Sequence, residues 1–493
     1  MIFGHNSTKT FTWRIFEIYI VTIPQPVRPA ANFAFGFFRR RFFVRNQVFT
    51  GSEILKRKIL LSIAAAAVLC FSGCSNGAVS ENSPVTSSSP SSSESALSSS
   101  ENPTSADSSS STSESSSAST ESSSETAGSS SSTSASASDL QNISGIELAQ
   151  MIKVGWNIGN SFDAFDCHWV SDEMLYESAW NGEMNTETHI QMLKDAGFNA
   201  VRIPVSWHNH VSDNYSISEQ WLARVNEVVD WCLERDMFVI LNIHHDNSTQ
   251  FMFPQNQYLE QSKNYISAIW RQLAFRFKGY DERLIFEIMN EPRLIGHNNE
   301  WWLDENNADC QEAVRCINEI NQVGVNTIRA AGGFNKTRFI MCPGYDASAD
   351  GALTSGFVLP NDPVSNNNHI IVSVHAYTPY EFALQDGGTS QWSSSNPNDL
   401  QNMTGFMDRL YEKFVSKGTA VIIGEFGARN KNNNTAARAD FAKTYVSEAR
   451  KRGIPCFWWD NNAFSGNGEL FGVLDRKASS WYFPEIKDAL INA

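Results

Sequence analysis

The chain has 493 residues, and 38 Lys and Arg against 53 Asp and Glu give it a formal net charge of −15. That charge is unevenly spread, since residues 1–58 carry +8, residues 76–138 carry −7 without any Lys or Arg, and residues 139–493 carry −16. The last segment is long enough to bury a large core. Its acidity excludes a nucleic-acid-binding domain, which needs a basic surface.

The N-terminal part of the chain contains the pattern of an export signal at residues 55–74. Three basic residues at 56–58 precede an apolar run at 59–69, which is about half of the ~20 residues that span a bilayer. The segment ends in Phe71-Ser72-Gly73-Cys74, which resembles a bacterial lipobox; an ordinary signal cleavage with Cys74 incidental is the alternative. We expect an exported lipoprotein that meets the membrane or cell wall only through this anchor.

Two further segments surround the signal. Because a signal peptide normally begins a chain, the Phe- and Arg-rich residues 1–54 are anomalous, which favours a mis-assigned start, and we assign them no function. Residues 75–138 are dominated by Ser and are predicted to form a disordered linker, since they cannot bury apolar surface. Six later cysteines lack CxxC spacing, so a zinc site is not expected. Free buried thiols are favoured, with one or two disulfides left open, for Cys167, Cys232, Cys310, Cys316, Cys342 and Cys456.

Residues 139–493 alternate short apolar runs with helical patterns, which is typical of parallel βα units. Strands are predicted at 153–158, 199–204, 237–243, 284–289, 338–341, 369–374, 419–424 and 454–459. Helices are predicted at 186–196, 218–235, 262–277, 313–331, 399–417 and 436–452. Eight units in this length favour a single (β/α)8 TIM barrel over a doubly wound open sheet, and no GxGxxG or Walker-type loop follows any run.

Two glutamates stand at the ends of apolar strands, where the active site of such a barrel lies. The fourth run continues into Asn290-Glu291-Pro292, and the seventh ends in Gly424-Glu425. A carboxylate at such a position is costly unless it is used or paired. Two carboxylates at one mouth fit glycoside hydrolysis, whereas helix capping or pairing with an Arg is the structural alternative for each.

Strand parity adds polar groups from other strands. Arg202 lies between apolar neighbours on the second run, and Glu287 lies deeper than Glu291, which predicts a structural carboxylate with an internal partner. Parity predicts that Asn242, His244 and Asp246 share one face and that Leu241, Ile243 and His245 share the other. On the sixth run it groups Ser373, His375 and Tyr377.

These motifs together resemble glycoside hydrolase family 5, the cellulase-type retaining barrels, over about residues 150–490. The resemblance is carried by Asn290-Glu291-Pro292, by Gly424-Glu425-Phe426-Gly427, and by the segments at 155–160, 201–204, 374–377 and 458–461. The run at 375–384 is most similar to the subfamily 4 endoglucanases and xyloglucanases.

The resemblance implies Glu291 as the general acid/base and Glu425 as the nucleophile, with Arg202 and Tyr377 holding Glu425 as a carboxylate. It implies that the charge of Glu425 keeps Glu291 protonated near neutrality. Asn290 would bond the sugar 2-hydroxyl, and Trp459, favoured over Trp458, would form the floor of the −1 subsite. The further expected substrate-binding residues are His244, His375, Asn157, His245 and Trp207.

Aromatic residues in the predicted loops indicate an open cleft with several subsites, because aromatic faces stack on sugar rings; packing in the core is the alternative for each. These residues are Trp180, Trp207, Trp301, Trp302 and Trp392.

The leading hypothesis is a retaining endo-β-1,4-glucanase, a monomer without cofactor or metal, whose partner is a polysaccharide such as cellulose, mixed-linkage glucan or xyloglucan. A non-catalytic glycan-binding barrel, or a hydrolase of mannan or xylan, is the alternative. A metal-dependent hydrolase using His244, His245 and Asp246 is disfavoured, because neighbouring residues on a strand point to opposite faces and no HxH or HExxH motif occurs.

Overall fold

The structure is a computed structural model that describes residues 14–20, 42–48, 140–366 and 368–493. The predicted signal peptide, the lipobox and the Ser-rich linker therefore lie outside the described residues. Within the predicted leader, Arg14–Ile20 pairs with Phe42–Val48 in a two-stranded antiparallel sheet. This sheet belongs to a unit separate from the one that contains the barrel.

Eight parallel strands close into a barrel in which each strand pairs with its neighbours along the chain and the eighth pairs with the first. At that closure Trp458 is in register with Trp156. The prediction of a (β/α)8 barrel is confirmed, and the open sheet is excluded. The strands are β1 Gly155–Ile158, β2 Ala200–Ile203, β3 Phe238–Asn242, β4 Leu284–Glu287, β5 Ile340–Ser348, β6 Ile370–His375, β7 Ala420–Phe426 and β8 Cys456–Asp460.

Helices surround the barrel. All six predicted helices are present, at α2 to α7. Four of them, α2, α3, α5 and α6, begin at residues whose side chains cap the helix, such as Thr186, which accepts from the His189 backbone N–H at the start of α2. The longer helices are α1 Gly145–Met151, α2 Glu187–Ala196, α3 Glu219–Leu233, α4 Leu259–Arg276, α5 Ala308–Ala330, α6 Pro397–Lys413, α7 Thr435–Lys451 and α8 Pro484–Ile491. Short helices at Tyr176–Ala179, Ala349–Leu353 and Tyr380–Ala383, like α1 and α8, were not predicted because they are too short to show a clear periodicity. A two-stranded hairpin of Leu474–Asp475 and Ser480–Trp481 precedes α8.

The strands separate two hydrophobic cores. Alternate strand residues point into the barrel, where Phe238, Ile240 and Phe457 pack together, and Leu148 of α1 closes the bottom. Their neighbours Val201, Val239 and other outward residues pack against the helices. Arg202, Asn242, Glu287 and Ser373 have the parity of the interior residues and lie one step above them. These four residues therefore form a layer of polar side chains at the mouth of the barrel.

The six cysteines of the barrel are all buried free thiols, as the sequence favoured. Among the described residues, no helix is both long and apolar enough to cross a membrane.

Candidate active site

Arg202 lies at the centre of the polar layer and is fully buried. Its Nη1 donates to Glu425 Oε1 at 2.7 Å and to Asn157 Oδ1 at 2.9 Å. Its Nη2 donates to Asn290 Oδ1 at 2.7 Å, and its Nε donates to Glu287 Oε2 at 2.9 Å. Burial opposes the charge of Arg202, but the two carboxylates outweigh it and raise its pKa. A planar guanidinium with these partners has one orientation.

Glu287 is the counter-ion of Arg202, which confirms the prediction of a structural carboxylate. It ends β4, is fully buried, and accepts hydrogen bonds from Ser373 Oγ at 2.5 Å and from Asn242 Nδ2 at 2.9 Å. Burial raises its pKa, yet Arg202, His375 and Ser373 outweigh burial and lower the pKa to about 2. Glu287 is therefore an anion that Arg202, Asn242 and Ser373 stabilise despite its burial.

Glu425 lies near the end of β7 and is reached from two sides. Tyr377 donates its hydroxyl to Glu425 Oε2 at 2.9 Å, opposite the bond from Arg202 to Oε1. The register between β6 and β7 shifts here, so that His375 pairs with Glu425. A Cβ on Gly424 would lie 3.1 Å from His375 Nε2, and the glycine therefore allows the histidine to pack closely beneath the carboxylate.

Glu291 lies in the loop after β4, with 18% of its side chain exposed. His375 Nδ1 lies 2.8 Å from Glu291 Oε1, and one carboxylate oxygen of Glu291 lies within 4.8 Å of one of Glu425. Burial raises the pKa of Glu291, but the hydrogen bond and charge of His375, followed by Arg293 and His245, lower it to about 2.

The expectation that Glu425 keeps Glu291 protonated is therefore wrong for the free site. Burial lowers the pKa of His375, but Glu425, Glu287 and Glu291 together raise it to about 10. Both shifts favour a proton on His375 over one on Glu291 in the free site. Sequence reasoning missed this because it considered the two carboxylates alone.

Trp459 and His244 form one wall of the mouth. Their rings are parallel within 4°, with centroids 5.9 Å apart. Asn242 accepts from the Val205 backbone N–H at 3.0 Å, which orients its Nδ2 to donate to His244 Nδ1 at 3.1 Å. Trp458 instead packs in the outer core against Phe426. Of the two tandem residues, Trp459 therefore lies at the mouth, and its role as the floor of the −1 subsite stays a prediction.

His245 lies beside His244, with ring centroids 4.4 Å apart, and it also contacts the ring of Trp180 at 5.8 Å. Parity had placed the two histidines on opposite faces of the strand. That prediction is wrong because β3 ends at Asn242, so the alternation of a strand does not extend to residues 244 and 245.

The burial of Trp207, Trp392 and Asn157 contradicts the expectation that these residues line an open cleft or bind substrate. Trp207 is fully buried, and its Nε1 donates to Asn242 O at 2.9 Å, so its ring belongs to the core and not to an open cleft. Trp392 is likewise packed in the core. Asn157 is fully buried, accepts from Arg202, and donates to Gly424 O at 2.8 Å. It therefore supports the site from below and does not face a substrate.

The structure does not assemble the metal site considered from His244, His245 and Asp246. Asp246 is turned toward the outer core, where it accepts from the His208 backbone N–H at 2.6 Å and from Tyr265 at 2.9 Å. Within the described residues, two other trios bring ligand-type atoms within 4.8 Å: Asp163 with His244 and His245, and Glu291 with His375 and Glu425. The expectation of no metal and no cofactor stays a prediction.

Sequence reasoning missed several residues around the two carboxylates. Arg293 contacts Glu291 from the same loop, only two positions away, and this spacing was the available signal. Asp346 lies near the end of β5 in a left-handed conformation, with a φ of 56°, and Asp163 lies in the loop after β1. Burial raises the pKa of Asp163 to about 7 despite backbone hydrogen bonds.

A closed parallel barrel with paired carboxylates at the carboxyl ends of β4 and β7 defines a TIM-barrel glycoside hydrolase. Residues 159–465 match the family model described as cellulase (glycosyl hydrolase family 5). The chain belongs to glycoside hydrolase family 5.

Known proteins similar to this chain include enzymes and solved structures of the family. The chain is 42% identical over 355 residues to the cellulase/esterase CelE of Acetivibrio thermocellus; the match covers 71% of this chain and 41% of that relative. It therefore spans about two fifths of the length of that relative. A family 5 lichenase from Caldicellulosiruptor sp. F32 is 51% identical, with a TM-score of 0.70 and coverage of 71% and 95%. A GH5-4 broad specificity endoglucanase from Ruminococcus champanellensis with bound cellotriose is 41% identical, with a TM-score of 0.66 and coverage of 71% and 99%.

Proposed function

We propose that the protein is a retaining endo-β-1,4-glucanase that hydrolyses β-glucan chains by double displacement. The observation that carries the proposal is the pair Glu291 and Glu425, with carboxylate oxygens within 4.8 Å of each other at the barrel mouth. Retaining enzymes place their carboxyl groups about 5–5.5 Å apart, whereas inverting enzymes need about 6.5–9.5 Å to admit a water. The similarity to a lichenase and to an endoglucanase that binds cellotriose supports a glucan as the substrate.

In the first step the Glu425 carboxylate attacks the anomeric carbon and forms a glycosyl ester. Arg202 and Tyr377 each donate to one oxygen of Glu425, so the carboxylate is oriented before substrate binds. The bond to the leaving glycosidic oxygen breaks, and Glu291 delivers a proton to that oxygen.

The proton for this step comes through the pair of His375 and Glu291. The charge of Glu425 is the strongest of the influences that raise the pKa of His375. As Glu425 attacks and its charge passes into the forming ester, this stabilisation weakens, and the proton moves along the 2.8 Å hydrogen bond to Glu291 and on to the leaving oxygen in the same step. The loss of charge on the nucleophile is thereby coupled to the supply of acid. Glu291 is then an ionised base in the glycosyl-enzyme.

In the second step a water attacks the anomeric carbon, Glu291 takes its proton, and the ester to Glu425 breaks. Asn290 assists both steps. Its Oδ1 accepts from Arg202, which leaves the Nδ2 group free to donate to the sugar 2-hydroxyl. Trp459 and His244 form the wall against which this sugar packs.

Exposed aromatic rings lie near Glu291, and we infer that they flank the leaving-group side of the cleft, because Glu291 is the proposed proton donor to the leaving oxygen. Trp301 and Trp302 are 52% and 65% exposed, and Tyr380 meets Trp302 edge to face at 5.7 Å. Large exposed rings beside a cleft are suited to stacking on sugars. They support internal cleavage of a long chain.

The test is reducing-sugar release from carboxymethyl-cellulose, lichenan, xyloglucan, xylan and glucomannan by the wild type, Glu425→Gln and Glu291→Gln. We expect release from the glucans and loss of at least a hundredfold in each variant, because each lacks one of the two chemical groups. Asp350→Asn, which alters a surface ion pair with Arg409, is the control. Wild-type binding without release identifies a glycan-binding barrel, and release only from xylan or glucomannan refutes the glucan assignment.

We also propose that the protein is exported and held by a lipid on Cys74, on the basis of the basic, apolar and lipobox-like segments at residues 55–74. Labelled palmitate should enter the wild type and not Cys74→Ser. Equal labelling of both refutes the anchor. We propose that the barrel acts as a monomer, which light scattering of the purified chain tests.

A further inference from the structure

Arg293 is fixed beside the acid/base carboxylate by contacts on every side. Its guanidinium carbon lies 3.9 Å from the centroid of the Trp301 ring, and its Nη1 donates to Glu291 O at 3.0 Å. The Nε lies 3.4 Å from Glu300 Oε1 and 3.8 Å from Asp346 Oδ1. The side chain is only 13% exposed. These contacts hold the guanidinium of Arg293 in one position.

From that position Arg293 reaches the carboxylate itself, with Nη1 3.5 Å from Glu291 Oε2. The other oxygen of Glu291 is held by His375. Arg293 and His375 therefore contact opposite oxygens of the Glu291 carboxylate. This arrangement fixes the direction in which the remaining lone pairs face the cleft.

The charges around Glu291 come from several elements of the barrel. The negative charges of neighbouring carboxylates would destabilise ionised Glu291, and the guanidinium of Arg293 is the nearest permanent positive charge that offsets them. The Tyr377 hydroxyl also faces the group. The charged and titratable neighbours are Arg293, His375, His245, Glu425, Asp346 and Glu469.

We propose that Arg293 is a positioning residue for the acid/base: clamped by Trp301, Glu300 and Asp346, it orients Glu291 and keeps a positive charge against it. The proposal rests on the role proposed above for Glu291. It also assigns a second task to Trp301, whose ring both faces solvent at the leaving-group side and supports the guanidinium.

The proposal predicts a change in pH dependence. The basic limb of kcat/KM reports loss of the proton that Glu291 shares with His375. Arg293→Gln removes a cation that lowers the pKa of Glu291, so the limb should move to higher pH, by about one unit for a charge at this distance. Arg293→Lys keeps the charge and should leave the limb within about 0.3 unit of the wild type. Trp301→Leu should give a smaller shift in the same direction.

A second readout separates positioning from general damage. Glucan needs a protonated leaving group, whereas 2,4-dinitrophenyl β-cellobioside does not. Arg293→Gln should lower kcat/KM for glucan about tenfold, part of the contribution of a general acid, and should change kcat/KM for the dinitrophenyl cellobioside, which reports the first step alone, less than about twofold. Arg409→Gln, which breaks a surface ion pair on α6, is the matched control and should alter neither.

The outcomes distinguish this proposal from the proposed function. If the wild-type full chain hydrolyses neither substrate, the glucanase assignment fails. If the wild type is active, an unmoved limb in Arg293→Gln, or equal losses on both substrates, overturns the role of Arg293 alone. If that variant does not fold, an unmoved limb in Trp301→Leu, or a shift in Arg293→Lys, overturns it.

Discussion

Glu287→Gln tests whether the buried ion pair beneath the site contributes to folding as its geometry implies. The pKa of Glu287 is about 2 in the folded chain against 4.5 as its ordinary value. Each pKa unit corresponds to about 1.4 kcal/mol, so the ionised carboxylate contributes about 3 kcal/mol of unfolding free energy near pH 7. A glutamine at this position would keep the shape and lose that contribution, and the charge of Arg202 would be less well compensated.

The sign of the pH dependence follows from the lowered pKa. The contribution is present above pH 4.5 and is lost as the pH falls toward 2, so at pH 3 less than half of it remains. Denaturant unfolding followed by Trp fluorescence at pH 7, 5 and 3 measures the difference between wild type and variant. Glu227→Gln, at an exposed ion pair with Arg224, is the control and should change stability by less than about 1 kcal/mol. A difference below about 1 kcal/mol at pH 7, or one that does not shrink by pH 3, would show that the ionised Glu287 does not stabilise the fold.

Three further variants probe the mouth. Tyr377→Phe removes the 2.9 Å hydrogen bond to Glu425 and should lower kcat/KM about 10- to 150-fold, since bonds to charged groups contribute about 1.5–3 kcal/mol; a loss below about threefold in a steady-state assay would contradict this. Gly424→Ala places a Cβ 3.1 Å from His375 Nε2 and should lower kcat on lichenan without changing the thermal midpoint by more than about 2 °C; full activity would show that the close packing is dispensable. Trp302→Ala should raise KM for cellohexaose several-fold, by loss of ~1 kcal/mol of stacking, and leave aryl cellobiosides unaffected; equal effects on both would argue against a leaving-group platform.

The strands and the carboxylates Glu287 and Glu425 could be predicted from the sequence because they follow from periodic burial, whereas Glu291, in the loop after β4, was singled out by the motif Asn290-Glu291-Pro292. An apolar strand that ends in Glu287 or Glu425 identifies a mouth residue without knowledge of the loops. Parity then failed two and three residues beyond the end of β3, at His244 and His245, because the alternation of a strand stops where its ladder of hydrogen bonds stops. The burial of Trp207 was equally hidden, since its position depends on how the loop after β2 folds onto β3.

The protonation of the site could not be predicted because it depends on distances between residues far apart in the chain. The 2.8 Å contact between His375 and Glu291 favours a proton on the histidine, whereas the sequence predicted it on Glu291. This contact forms only when the barrel closes and brings the ends of β4 and β6 to the same mouth. Arg293 shows the opposite case. It stands two residues from Glu291, but only the folded loop shows that it turns back onto the carboxylate.

In the proposed mechanism Glu425 forms a covalent bond to the sugar while Glu291 serves as acid and base. Incubation with a 2-deoxy-2-fluoro-β-cellobiosyl fluoride, followed by peptide mass spectrometry, would detect this bond, because the 2-fluorine slows both steps while the fluoride leaving group keeps formation of the ester fast. We expect one fluorocellobiosyl group on the peptide that contains Glu425, and none in Glu425→Gln. An adduct on Glu291, or turnover of glucan with no adduct on any carboxylate, would contradict this mechanism.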